Sequence, residues 1–264
     1  MREKSLKRWI DSLQSRGRYT FLRAEAQADS GFSSQAVNKA LQRAVKRGRL
    51  VRPKEYFYVI VPVEYSIPGA PPVSWYIHDL MAAIKLPYYV GLLSAAAIHG
   101  SAHHAPQVFQ VVTDRSVRPI RAGRAKIEFV ASKYVERAAA VDMKTDTGIM
   151  RVATPETTMV DLMRFSKSAG HLEHVAFVIS ELAEAINPEC LVAALRAVND
   201  IPNAQRLGYI LDLARKRKLS KAVHDWVKSR IQRPQPLRPD RPTKDAPENR
   251  RWHLLINDPL KIEA

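Results

Sequence analysis

Residues 31–62, GFSSQAVNKALQRAVKRGRLVRPKEYFYVIVP, leave this chain few ways to fold. Stepping about 100° per residue around a helix from Gln35 places Asn38, Lys39, Gln42 and Lys46 within roughly 60° on either side. Ala36, Val37, Ala40, Leu41, Ala44 and Val45 cover the opposite half, so one face is core and the other is amide and ammonium. Ser33 or Ser34 can cap the first turn, and Gly48 follows the last periodic residue, where a left-handed stop is easiest. Residues 49–52 and 56–61 then read as two short strands around Pro53, Lys54 and Glu55, a hairpin with a charged tip.

The residues upstream give this helix its setting. Leu6, Trp9, Ile10 and Leu13 share one face of a first helix over residues 2–16, which Gly17 ends. A short extended link at residues 18–20 leads to a second helix over residues 21–28, and residues 29–31 make the turn. Helix, helix, turn, helix and hairpin is the order of a winged helix-turn-helix, with residues 33–47 as its third and recognition helix. Asn and Gln match the groove edge of adenine, and Lys and Arg that of guanine. On this placement Ser34, Gln35, Asn38 and Lys39 are the base-reading candidates, and Gln42, Arg43, Lys46, Arg49, Arg52 and Lys54 the phosphate-binding ones. The competing reading is a solvated surface helix. Phe57 and Tyr58 alternate along a strand, so one of them belongs to the core.

Charge supports the nucleic-acid reading. The net charge is +16 over 264 residues, and it is unevenly spread. Residues 1–60 carry 14 Lys and Arg against 5 Asp and Glu; residues 61–200 carry 13 against 14; residues 201–264 carry 15 against 7. Basic ends around a neutral middle suit a polyanion, whose counterions are released on binding. No apolar run is long enough to span a membrane and no signal peptide is visible, so no membrane partner and a cytoplasmic location are expected. Cys190 is the only cysteine, which rules out an internal disulfide.

Residues 63–73, proline-rich and without a helical period, read as a linker from a domain of residues 1–62 to one of residues 74–264. Residues 74–85 suggest a mostly buried helix and 91–99 a small-residue helix that Gly100 stops. Residues 107–113, 126–132 and 148–153 are β-branched and apolar enough for strands. Between the first two, Arg115, Arg118, Arg121 and Arg124 recur every third residue in a basic, turn-rich stretch, which is either a nucleic-acid edge or a solvated loop or extended edge strand. Thr154 and Pro155 start a core helix, and Asn187 and Pro188 start another in the same way. Helices are expected over 172–186, 188–198, 203–218 and 220–231, with residues 215–218 in the last turn of theirs. Residues 232–249 are a proline-rich extended segment without a core, and residues 250–257 a returning strand. The fold class is α+β: an N-terminal winged helix-turn-helix followed by a mixed α+β C-terminal domain.

Nothing nominates a catalytic centre. His99 and His103 have the spacing of helical metal ligands, with His104 beside them, but Gly100 stands where a zinc peptidase needs a glutamate. Asp79, Glu156, Asp161 and Glu181 fall on separate helices, and no phosphate-binding glycine motif exists. No enzyme activity, cofactor or metal is expected.

The chain resembles the AbiEi family of bacterial antitoxins and transcriptional regulators. The likeness rests on GRLVRPKEYFYVIVP closing the winged helix, on YYVGLLSAAAIHGSAHHAPQVFQVVT, on the capped helix ATPETTMVDLM and on RRWHLLIN near the end. The resemblance implies that the first domain binds inverted repeats in its own promoter and represses the operon. It also implies that the second domain antagonises a nucleotidyltransferase-like toxin, directly or indirectly. The alternative reading is a winged-helix protein whose C-terminal domain is an enzyme or nucleic-acid processing module.

Overall fold

The computed structural model describes residues 6–101 and 106–260. The fold is α+β, and the chain passes back and forth between two compact units. One comprises Met1–Tyr89, Gln107–Lys133 and Asp142–Arg151, the other Val90–Pro106, Tyr134–Val141 and Val152–Ala264.

The first unit begins with α1 (Leu6–Gln14), β1 (Thr20–Leu22), α2 (Arg23–Ser30), α3 (Ser34–Lys46), β2 (Leu50–Lys54) and β3 (Phe57–Ile60). The apolar stripe of α1 buries Leu6, Trp9, Ile10 and Leu13 against Phe21, Val37, Leu41, Leu50, Tyr58 and Ile60. Phe21 and Leu22, expected in the second helix, are strand instead. Phe21 pairs with Tyr58 across β1 and β3 and stacks on its ring at 5.4 Å, while Trp9 meets Phe21 edge-on at 4.9 Å. A long-range partner therefore decides the conformation of a run whose local period was ambiguous. The sheet order β1-β3-β2 makes β3 central, and Phe57 and Tyr58 are both buried, so the expectation that only one is core is corrected.

The hairpin tip also lies one step further along than expected. Pro53 and Lys54 belong to β2 and the turn is Glu55–Tyr56. A register shift between Val51 and Lys54, on the edge strand of this sheet, accommodates the proline that lacks a ladder donor.

Residues 63–73 are packed against their own unit. They include a 3-10 turn, Val63–Tyr65, and run into a second, Val73–Trp75. The Trp75 ring lies 4.9 Å from that of Tyr19 and 5.3 Å from that of Tyr65. The unit continues with α4 (Ile77–Ala83) and most of a six-stranded sheet made by β4 (Tyr88–Val90), β5 (Val108–Thr113), β6 (Ile120–Ala122), β7 (Ala125–Ala131), β8 (Ala140–Thr145) and β9 (Gly148–Ala153). Its order is β6-β7-β5-β4-β9-β8, with β5 parallel and β6 antiparallel to β7. At the β6–β7 turn, Gly123 has φ +55°, and a Cβ there would stand 2.2 Å from the Pro68 carbonyl oxygen. The Arg124 N–H donates to that same oxygen at 2.8 Å. Glycine is required where two backbones meet this closely. β4 and β8 were not read from the sequence.

The second unit is mainly helical: α5 (Leu92–Ile98), α6 (Pro155–Arg164), α7 (Leu172–Leu182), α8 (Pro188–Val198), α9 (Ile201–Leu213) and α10 (Arg217–Val227). Thr154 caps α6, accepting from the Thr157 N–H at 3.3 Å, and Asn187 caps α8, accepting from Glu189 and Cys190. Arg215 has φ +59°, which breaks the expected 203–218 helix and places Arg217 and Lys218 at the start of α10. The expectation that residues 215–218 form the last turn of a helix is thus overturned.

Residues 232–249 are anchored within the second unit. Together with residues 250–257 they supply β10 (Gln235–Pro236), β11 (Glu248–Asn249) and β12 (Leu254–Leu255), which form a small sheet in the order β10-β12-β11. Trp252, fully buried, lies against Gly208 of α9, and its Nε1–H donates to Asp212 Oδ2 at 2.6 Å. The Gln205 amide donates to the Trp252 carbonyl at 2.8 Å.

Candidate nucleic-acid interface

The Ser33 hydroxyl caps α3 by accepting from the Ala36 N–H at 3.3 Å, and Gly48 with φ +72° follows its C-terminal end. Val37 and Leu41 are buried to 1% and 0% exposure, which fixes the rotation of the helix. Ser34, Gln35, Lys39, Gln42, Arg43 and Lys46 are consequently exposed, and Asn38 is half-buried at the edge of that face. Gln35, Asn38, Lys39, Gln42, Arg43 and Lys46 make no hydrogen bond or ion pair with the described residues that would have to break before binding.

Arg52 and Lys54 project from the outer strand of the hairpin, also exposed and without an ion pair among the described residues. At the tip, Tyr56 has φ +66° and is 46% exposed. The Arg23 guanidinium lies over its ring at 4.3 Å, and the Arg23 N–H donates to its carbonyl at 2.9 Å. The neighbouring Glu55 carboxylate, by hydrogen bond and charge, raises the Tyr56 pKa above its ordinary value. Arg23 and Tyr56 are members of this surface that the sequence did not single out, because Tyr56 read as a strand residue.

Arg49 is placed differently from the other cations. One Nη donates to the Val61 carbonyl at 2.9 Å, and the other to Asp11 Oδ1 at 2.9 Å and to Gln14 Oε1. It ties α1 to the end of β3, so these donors are engaged within the fold. Arg43 is exposed but stands over a groove between α1 and α3 that Lys7 and Arg47 also line.

Beside the hairpin, β2 is packed next to β6. Of the four regularly spaced arginines, Arg115 pairs with Asp114 at 3.1 Å, whereas Arg118, Arg121 and Arg124 are exposed and have no ion pair among the described residues. The charge of the hairpin thus continues onto a sheet edge.

His103 and His104 lie outside the described residues. His99 follows α5, and its Nε2 is 2.7 Å from the Ala153 carbonyl oxygen, a contact that joins elements of the second unit. No cluster of three His, Cys, Asp or Glu side chains able to hold a metal occurs among the described residues, and no described helix is long and apolar enough to cross a membrane.

Comparisons with known proteins agree with this architecture. No curated protein matches the chain. The crystal structure of the RV2827C protein from Mycobacterium tuberculosis has the same fold, with a TM-score of 0.66 at 14% identity over 94% of this chain and 89% of that one. Residues 89–213 match the model of the AbiEi antitoxin C-terminal domain. That stretch contains α5, β5 to β9 and α6 to α9, including the Thr154-capped helix. Over these residues the chain carries a domain of the AbiEi antitoxin family.

Proposed function

We propose that this chain is an antitoxin of a toxin–antitoxin system and a DNA-binding repressor of its own operon. In this reading residues 1–62 act as a winged helix-turn-helix, with α3 in the major groove and the β2–β3 hairpin on the adjoining backbone. Ser34, Gln35, Asn38 and Lys39 read base edges, while Gln42, Arg43, Lys46, Arg52 and Lys54 hold phosphates. Arg49 serves by fixing α1 to the hairpin, and Arg121 and Arg124 extend the phosphate grip from β6 and the turn after it. Residues 74–264 carry the antitoxic function without catalysis, acting directly or indirectly on a nucleotidyltransferase-like toxin. The protein then works in the cytoplasm, where both partners are.

The observation that carries this reading is the exposed amide and ammonium face of α3, whose side chains from Gln35 to Lys46 have no partners among the described residues, in a chain with an antitoxin domain. Bidentate amide and ammonium contacts discriminate between bases by about 1–3 kcal/mol each. The test is a gel shift of the full chain, at fixed salt, on the duplex upstream of its own gene against a scrambled duplex of equal length. Preferential binding to the upstream duplex is expected. Equal binding would leave only a generic polyanion grip and defeat the repressor assignment.

A further inference from the structure

A cavity of about 420 Å³ opens in the second unit where the end of α6, the start of α7, α9 and the segment after β10 come together. Four cationic side chains line it, Arg164, Lys167, Arg206 and Arg238, against a single carboxylate, Asp240. Two of the cations have acidic partners: Arg164 donates to Asp161 at 3.1 Å and lies 3.9 Å from Asp200, and Arg238 pairs with Glu173 and Asp258.

Arg206 is unlike them. It is only 8% exposed, yet its hydrogen-bond acceptors are neutral: Nε donates to the Pro236 carbonyl at 3.0 Å and Nη1 to Asn203 Oδ1 at 2.9 Å. No carboxylate forms an ion pair with it among the described residues, and Nη2 keeps both of its donors. Burial pulls its pKa below the ordinary arginine value, partly countered by the charge of Asp200. An arginine nevertheless stays charged, and a cation held out of water without a counter-ion is costly to the fold.

The same cavity meets the start of α7. His171 is the residue before the first turn and its side chain makes no capping hydrogen bond, so the first-turn N–H groups have no side-chain acceptor there. These groups and the helix dipole favour an anion. Phe165 and Leu237 give the cavity an apolar wall.

We propose that this cavity binds a phosphate-bearing small molecule. Its phosphate takes the free donors of Arg206 and the first-turn amides of α7, Lys167 closes the mouth, and the organic part lies against Phe165 and Leu237. The buried guanidinium thereby gains the counter-ion that the described residues do not give it.

Calorimetric titration of the full chain in chloride buffer tests this, with AMP, inorganic pyrophosphate, adenosine and citrate as probes. AMP and pyrophosphate are expected to bind and to raise the Tm, and adenosine to do neither. Arg206→Gln should abolish binding, and the exposed-rim variant Lys167→Glu should weaken it about tenfold while leaving the fold intact. Should Arg206→Gln fail to fold, Lys167→Glu decides alone. The proposal is overturned if neither phosphate compound binds at about 10 mM, a free energy of under roughly 3 kcal/mol. It is equally overturned if adenosine or citrate binds as tightly as AMP, or if Lys167→Glu binds undiminished. None of these outcomes bears on the repressor reading, whose residues lie in the first unit.

Discussion

Replacing Gly208 with alanine should damage the protein although Gly→Ala in a helix is ordinarily favourable by about 1 kcal/mol. The added Cβ would stand 2.1 Å from Cη2 and Cζ3 of Trp252, against roughly 3.5–4.0 Å for carbon atoms in contact. The ring is fully buried, its Nε1–H is held by Asp212, and its carbonyl by Gln205, so no simple rotation gives way. If the ring shifts within its site, overpacking costs about 1–3 kcal/mol. If it leaves, the loss of a buried tryptophan costs about 3–5 kcal/mol. The charge-assisted bond to Asp212 adds about 1.5–3 kcal/mol to that second case. An overlap this deep takes the upper end of the first case or the lower end of the second, so after the helix-propensity gain is subtracted a net loss of about 2–3.5 kcal/mol is expected, which lowers the Tm by roughly 4–14 °C in a chain of this size. Thermal and urea unfolding followed by tryptophan fluorescence measure it. In a Trp252→Ala background the obstacle is gone, and Gly208→Ala should become stabilising by about 1 kcal/mol. A neutral or stabilising Gly208→Ala in the unaltered chain, or the same loss in both backgrounds, would refute the argument.

Other expectations follow from the same geometry. Asn38→Ala should weaken a specific operator by about 1–3 kcal/mol and leave scrambled DNA alone, so equal loss on both duplexes would remove Asn38 from the base-reading set. Arg52→Ala or Lys54→Ala should weaken every duplex and reduce the slope of log K against log salt by about 1 each, whereas an unchanged slope would take the hairpin off the phosphates. Arg49→Ala, which deletes three hydrogen bonds inside the fold, should lower stability by about 1–3 kcal/mol in urea; a fully stable variant with a shallower salt slope would instead make Arg49 a phosphate ligand. Burial holds the Tyr88 phenol at about 12, above its ordinary 10.0. The folded state therefore keeps a proton that the unfolded chain releases, so this contribution is complete below pH 10 and is lost as pH rises towards 12. Tyr88→Phe should flatten the alkaline fall of an unfolding curve measured across that interval.

Much of this architecture was legible because local chemistry and tertiary structure agree. The apolar stripes of α1 and α3, the Thr154-Pro155 and Asn187-Pro188 starts, and the β-branched runs of β5 and β7 each carry their own signal. What escaped is set by distant partners. Phe21 becomes strand because Tyr58 lies across from it, 37 positions on. β8, AVDMKT, has no fully buried residue and shows no apolar alternation. Arg215 takes a left-handed conformation with nothing in its side chain to announce it. At the candidate interface the exposed face of α3 follows from its period. The occupation of Arg49 does not, since a basic residue in sequence carries no mark of whether Asp11 and Gln14 wait for it in space. Arg206 likewise looks like one more helical cation until its acceptors prove to be neutral.

The backbone junction between Gly123 and Pro68 removes a swivel. With the β6–β7 turn set against residues 68–70 and Trp75 against Tyr19, α3 and the sheet edge of the first unit are packed into one compact body. Two such bodies meeting on an inverted repeat would have no slack to absorb a change of phase between half-sites. On the proposed repressor reading, inserting about 5 base pairs, half a helical turn, between the half-sites should therefore abolish cooperation between two copies, while inserting about 10 should restore the facing.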